Sequence, residues 1–398
     1  MSLPTITAEV QFSSGVWTDV SAWLQAPMSV RRGASRVESP VIRYEPGVAT
    51  IRLKNGDRRF DPTNTAGPYV SGGVSQVTAM RPLRIRAFWD TYTFNLFRGF
   101  VDVWDVDWIA TVHSVVTVHC TDGFKVLANK RRIAVTPVGA GETTGARINR
   151  ILNSAGWPSG DRDIATGDST VQATDLSGDA LSELQRVAES EIGELYISGS
   201  GRVVFRNRQA LINDYRSANV VATLGQSTTA PAPMEVKLAT DDATLWNEVI
   251  AQRKDGDERS VGDATSQTAN QTRTFQKSDL LLETDIDVGN WAQWVLYISK
   301  DPETRFDQIR IHVHADPGNL VPPALGRDIG DRIQIWRRPP GGGDPIVRDC
   351  FIRGINHEVT QATWITTWTL QSATKYGSFL TLDHSTLGLL NSGNAYGY

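Results

Sequence analysis

Cysteine is almost absent from this chain: 398 residues carry only Cys120 and Cys350. Two cysteines allow one disulfide but not a disulfide-stapled secreted scaffold, and two reduced, buried thiols are the expectation. Long apolar runs are missing as well, so no segment approaches the roughly 20 residues that cross a bilayer as a helix. Met1 to Gln11 lacks the charged start and apolar run of a signal peptide, so synthesis in the cytoplasm is expected. Nor is there a surplus of one charge. Lys and Arg number 40 against 44 Asp and Glu, a net charge of −4, which leaves no general basic surface for gripping nucleic acid. Basic pairs such as Arg31-Arg32 and Arg131-Arg132 read as solvated surface.

Catalytic and cofactor motifs are also wanting. Gly139-Ala140-Gly141-Glu142-Thr143-Thr144-Gly145 precedes a helix pattern but has Thr144 where a dinucleotide loop needs its third glycine. Ala146-Arg147 follows where a triphosphate loop needs Lys and a hydroxyl, so a flexible loop leading into a helix cap is the better reading. His357-Glu358 opens a zinc-protease pattern that Gln361 breaks. His312 and His314 share a strand face with Arg310, without a third ligand nearby. Asp102, Asp105 and Asp107 lie among Trp104 and Trp108, as in sugar-cleaving sites, yet lack a visible partner carboxylate. Asn55-Gly56-Asp57 and Asp61 have no calcium-loop spacing and read as a turn held by side-chain bonds. Cys120 carries no sign of activation and no nucleophile elbow is present. The expectation is a protein that is not an enzyme, with no catalytic, cofactor or metal residues.

What is present is apolar material and turn chemistry. Hydrophobic residues at 40% and charged ones at 21% describe a globular chain with ample core, long enough for about two or three domains. The 12 Trp fit either large cores or extensive protein–protein contact, and both remain open. The most distinctive stretch begins at Arg32-Gly33 and continues through Gly47 to Asn55. It then takes in Arg59-Phe60-Asp61-Pro62-Thr63-Asn64, Pro68-Tyr69, Arg81-Pro82 and Phe97-Arg98-Gly99. Strand-like runs from Ala49 to Lys54 and Leu83 to Phe88 bracket a loop of Gly, Pro, Asn and Asp.

The periodicity predicts mainly β structure with an α+β insert. A first β-barrel is expected over 1–127, where Thr111 to Cys120 alternates strictly. A small helix-containing domain follows over 128–215. It has helices from Thr144 to Ala155 and Ser177 to Ile192, the second capped by Gly193, then a hairpin turning at Gly199-Ser200-Gly201. A second β-barrel is expected over 216–376, entered by a linker at Thr228 to Pro233 and containing a helix near 287–299. Asp287 caps that helix, which presents Trp291, Trp294, Val295 and Ile298. The polar run Arg253 to Thr274 reads as a mobile loop, and 377–398 as a tail. Loop and tail are both expected to order only on assembly.

The two β regions echo each other. Arg84-Ile85-Arg86 and Phe97-Arg98-Gly99-Phe100-Val101 correspond to Arg332-Ile333-Gln334-Ile335 and Phe351-Ile352-Arg353-Gly354-Ile355. A strand running through Arg-Gly suggests a bend or bulge. Three chains with two similar barrels each would make a ring with six similar positions.

The signature, with Trp17-Thr18-Asp19-Val20-Ser21 and the helix-hairpin from Asp179 to Arg206, resembles minor tail proteins of long-tailed bacteriophages, actinobacterial-host type. The layout is similar to the tail hub, two tail-tube-like barrels around a small insert. The resemblance implies a structural virion protein at the tail tip, a homotrimer that closes the hexameric tail tube. Its implied partners are the tail tube protein, the distal tail protein, the tape-measure protein and downstream spike or fibre proteins. Genome DNA would pass through the lumen without specific binding. The family supplies no shared catalytic residues, and no room is expected for a lysin domain after the second barrel. Three alternatives stand beside the hub: a hexameric distal tail ring protein, a receptor- or carbohydrate-binding module, and a cell-wall enzyme.

Overall fold

The computed structural model describes residues 3–110, 113–131, 137–175, 177–225 and 235–377. The linker at Thr228 to Pro233 and the tail beyond Gly377 lie outside the described residues. In chain order the first region holds β1 (Thr5–Ser13), β2 (Val16–Asp19), β3 (Leu24–Gly33), β4 (Glu45–Lys54), and the two-residue strands β5 (Val70–Ser71) and β6 (Val74–Ser75). It continues with β7 (Pro82–Trp89), β8 (Tyr92–Ala110), β9 (His113–Thr121) and helix α1 (Gly123–Ala128). The insert comprises β10 (Glu142–Thr143), α2 (Thr144–Ser154), β11 (Arg162–Ile164), β12 (Thr170–Val171), α3 (Ala180–Glu191), β13 (Glu194–Ile197), β14 (Val203–Arg206), α4 (Ala210–Asn213) and α5 (Tyr215–Ala218). The last part holds β15 (Val220–Gly225), β16 (Glu235–Thr240), β17 (Glu248–Arg253), β18 (Glu258–Gly262), α6 (Ala264–Asn270), β19 (Thr274–Leu280) and α7 (Asp285–Ser299). It closes with β20 (Thr304–His312), α8 (Pro317–Gly326), β21 (Arg332–Arg337), β22 (Ile346–Val359) and β23 (Trp364–Ser372).

The chain is mainly β, and both β regions belong to one 13-stranded sheet. Strands β3-β4-β9-β8-β7-β1 lie side by side in that order. Strands β16-β20-β23-β22-β21-β15 do the same. Counted along the chain, the six members of each set occupy the same places in the two orders. One pairing breaks the match: β1 runs antiparallel to β7, whereas β15 runs parallel to β21. The echo heard in the sequence is thus a repeated strand order. The two sets join where β3 pairs with β22.

Alternation explains which face each strand buries. Along β23, Trp364, Thr366, Trp368 and Leu370 are buried while Ile365, Thr367 and Thr369 face outward. Along β9, Ser114, Val116, Val118 and Cys120 turn inward. These residues feed one core that runs through both β regions, from Val10 and Leu53 to Ile311 and Trp368. Cys120 and Cys350 are unbonded and buried in it, and burial pushes both thiols up.

The insert has its own core, made by Ile148, Ile151 and Leu152 of α2 against Leu184 and Val187 of α3 and the β13–β14 hairpin. Helix α3 starts at Ala180, with Asp179 as its cap. Its left-handed end is Ile192 (φ 60°), not the expected Gly193. Gly193 answers a different need, since a Cβ there would lie 2.7 Å from the Phe205 ring and 2.8 Å from the Arg206 carbonyl.

Residues 248–299, within the span expected for the second barrel, form a separate three-stranded sheet, β18-β17-β19, with α7 packed on it. Their core includes Val249, Leu280, Val288, Trp291 and Val295. The cap of α7 is Thr284; Asp287 completes a capping box by bonding back to the Thr284 N–H. The mobile-loop reading of 253–274 is overturned, because β18 pairs with β17 over five residues and Asp263 caps α6.

Candidate assembly surface

The signature residues fold as a scaffold for one end of the sheet. Asn55 is fully buried; its Oδ1 accepts from the Phe60 N–H at 2.8 Å, and its own N–H donates to the Ser114 carbonyl at 2.9 Å. Asp61 accepts from the Thr63 N–H at 2.8 Å and from Arg58 Nε at 2.9 Å. Asn64 donates to the Arg58 carbonyl at 2.9 Å. These are the side-chain-held turns that Asn and Asp favour. They place Phe60, with no exposed surface, in an aromatic cluster: Tyr69 at 5.6 Å, Trp104 at 6.1 Å and Trp23 at 6.0 Å. Tyr69 in turn stacks on Phe12 at 3.8 Å. Arg59 lies 3.8 Å over the Trp23 ring, and Arg81 clasps Gln76 and Thr78. Pro62 and Pro68 are exposed, where a residue without an N–H costs no bond.

A second group braces β4, β8 and β9 and ties the first β region to the second and the second to the insert. Gly47 donates to buried Asp122 at 2.6 Å, and Asp122 also accepts from the Phe124 N–H at the start of α1. Burial raises the Asp122 carboxyl to about 7. Gly99 passes so close to β9 that a Cβ would lie 2.4 Å from the Thr121 carbonyl, and Phe97 beside it is buried. Arg32, expected on the solvated surface, is buried and pairs with Asp328 at 2.9 Å. Arg353 pairs with Glu194 of the insert inside the protein and donates to Gln371 at 2.7 Å. Phe351 is buried against Tyr376, 5.3 Å between ring centres, in the core under α7. No sequence signal joined Glu194 to Arg353, because the two lie 159 residues apart.

The chemical candidates dissolve into structure. Arg147, buried, binds the Val138, Gly139 and Gln172 carbonyls and so clasps the glycine loop shut. Asp102 bonds Thr121 and Lys125, while Asp105 and Asp107 lie exposed on the outward face of β8. His357 is buried and bonds Thr366 at 2.9 Å; burial, then the Arg32 charge, lowers it to about 3. His314 accepts from the Trp364 N–H at 2.8 Å and stacks with His312, ring centres 5.1 Å apart. No group of three or more His, Cys, Asp or Glu suited to a metal occurs among the described residues. Among those residues, too, no helix is long and apolar enough to cross a membrane.

What remains is a wide polar wall. From β16 to β8 the sheet turns one continuous face outward, and register places its residues in rows. One row runs Glu235–Arg310–Thr367–Asn356–Arg31–Val48. The next runs His312–Ile365–Glu358–Ser29–Thr50–His119–Val103. Both signs of charge occur on this wall, as Glu235, Arg310, Arg31 and Glu358, and Glu235 pairs with Arg310 at 3.3 Å.

No protein-family model matches the chain, and no curated protein does. Solved structures do. A tail protein from Neisseria meningitidis MC58 superposes with a TM-score of 0.60 at 14% identity, over 94% of this chain and 98% of that one. A 43 kDa tail protein of prophage MuSo2 from Shewanella oneidensis gives 0.58 at 13% identity, again over 94% and 98%. A Francisella PdpA-VgrG complex gives 0.51 at 8% identity, over 94% of this chain and 58% of the other. Along nearly its whole length, this chain has the fold of phage tail proteins.

Proposed function

We propose that the chain is a structural tail protein and not an enzyme, specifically the hub that closes a hexameric tail tube at the tip. The repeated strand order carries this reading. Each set of six strands acts as one tube-type barrel, so that three chains match the six positions of the tube. The signature residues set the two barrels: Gly33 and Gly354 at the seam, Gly47 and Gly99 at the strand crossings, and Phe60 in the loop that plugs one end. The insert, 128–215, faces away from the tube and takes spike or fibre proteins. The outward polar wall lines the channel, where tape-measure protein and DNA pass. Mixed charge suits such a lining, because a run of Lys and Arg would release counterions and hold the DNA.

A distal tail ring protein carries one tube-type barrel per chain, and the second set of six strands favours the hub over it. The test is capping. Added to polymerised tail tube protein of the same virus, the purified chain should sit at one end of each tube in negative-stain images. Tubes left bare at both ends, or decorated along their sides, would overturn the hub.

A further inference from the structure

Counted along the chain, the fifth strand of each six-strand set changes partner midway. In the second set that strand is β22: residues 346–351 pair with β21, and on the same side Gly354 to Val359 pair with β3. In the first set it is β8. Residues 92–100 pair with β7, but beyond Val101 that side has no strand partner among the described residues, while β9 holds the other side.

The two strands correspond residue by residue. The Met80 N–H donates to the Val101 carbonyl at 2.7 Å, and the Val101 N–H donates to the Arg81 carbonyl at 2.9 Å. Gly330, Ile352 and Asp331 repeat these two bonds at 2.8 and 3.0 Å. One extra residue then interrupts the pairing, between Val101 and Val103 and between Ile352 and Gly354. Val103 to Trp108 therefore stand where Gly354 to Val359 stand in the second set. The counterpart of β3, second in its set, is β16, which ends the sheet with one edge open. Ser29 reaches Val103 through Thr50 and His119, as Lys237 reaches Gly354 through Gln308 and Thr369, so Lys237 is the counterpart of Ser29.

We propose that the open edge of β8 in one copy of this chain pairs antiparallel with the open edge of β16 in the next, repeating the β22–β3 seam between chains. The seam sets His357 opposite Val30, Glu358 opposite Ser29 and Val359 opposite Met28. The same register sets Val106 opposite Leu238, Asp107 opposite Lys237 and Trp108 opposite Val236. The side chains fit it. Trp108 and Leu238 are 68% and 48% exposed, yet they sit on the core face, opposite buried Ser114 and buried Phe306. Val30, the counterpart of Leu238, is fully buried because its seam is filled. Asp107 and Lys237 are exposed on the polar wall, and neither belongs to an ion pair among the described residues. Opposite charges directly across two strands favour their pairing. Within one chain six strands separate β16 from β8 and the two do not pair, so a second copy supplies the partner. The contact also covers two edges that would otherwise invite aggregation. It rests on the reading of the two sets as equivalent ring positions and names the contact that builds the ring.

Full-length chains carrying Asp107→Cys are mixed with others carrying Lys237→Cys, in the presence of tail tube protein of the same virus, and joined with a short bismaleimide. Cys120 and Cys350 are buried and do not compete. Mixed dimers are expected at tenfold or more the yield of Asp107→Cys with Tyr215→Cys. Asp107→Lys or Lys237→Asp alone should weaken association severalfold, and the double variant should restore it. A yield no better than the control, or a double variant no better than the singles, overturns the contact. If wild-type chains still form rings in that case, only the contact falls; if they form none, the ring reading falls with it. Linked chains that grow into open filaments keep the contact and overturn the ring.

Discussion

Gly33 and Gly354 face each other across the seam where β3 pairs with β22. A Cβ on Gly33 would lie 2.4 Å from the Arg353 carbonyl, and one on Gly354 would lie 2.1 Å from the Ala34 carbonyl. Both obstacles are backbone, so neither can swing aside. The close approach lets the Ala34 N–H donate to the Arg353 carbonyl at 2.8 Å and carries one sheet through both β regions.

Gly354→Ala should therefore destabilise by about 2–4 kcal/mol, at the upper end of overpacking effects. Gly160→Ala, where a Cβ meets nothing within 4 Å, should stay within about 0.5 kcal/mol of wild type. Urea denaturation midpoints compare the two. Equal midpoints would remove the seam from the account.

Phe60→Ala should cost about 3–5 kcal/mol, the usual range for a buried aromatic. It should also free the 55–81 loop, because Tyr69, Trp104 and Trp23 all meet at that ring. Limited proteolysis locates the new cuts. A stable variant with no cut in that loop would mean the cluster fills space without holding the loop.

The Arg353–Glu194 pair ties the insert to the second β region from inside the protein. Glu194→Gln or Arg353→Met alone should cost about 3–5 kcal/mol, since each strands a buried partner. The double variant should recover part of that loss. A double variant as unstable as the sum of the singles would show the two residues act independently.

His357 gives the fold a pH signature. Its value falls from the ordinary 6.5 to about 3 because it is buried, so the unfolded chain binds the extra proton between those values. Stability from this group is complete above 6.5 and is lost as pH falls towards 3, at about 1.4 kcal/mol per unit. Asp122 works in the opposite sense: raised from 3.8 to about 7, its contribution is lost as pH climbs through that window. Over pH 4 to 6.5 the two groups oppose each other, so His357→Gln leaves Asp122 uncompensated and should make the slope of stability against pH more negative there by about 1.4 kcal/mol per unit. An unchanged slope would mean the imidazole is protonated in the folded protein.

Strand alternation is legible in the sequence wherever one face is apolar, as from Trp364 to Leu370 and along β9, because burial repeats every second residue there. The turn at Asn55 to Asn64 is legible for the same kind of local reason. Residues 253–274 mislead because β18 has a solvent-facing sequence, Glu258 to Gly262, and turns only Val261 towards a core. The Gly193 reading fails because a glycine needed for close packing looks, in sequence, like one needed for a left-handed turn. Arg32 reads as surface because its partner, Asp328, lies 296 residues away. Long-range pairs of this kind leave no local mark.

The most direct test of the hub account is the mass of the purified protein in solution, by light scattering, with negative-stain images of the same sample. The account predicts a trimer that images as a six-lobed ring. A hexamer forming one simple ring would contradict it and assign the chain to the distal tail ring, and a monomer that tail tube protein cannot draw into rings would contradict it outright.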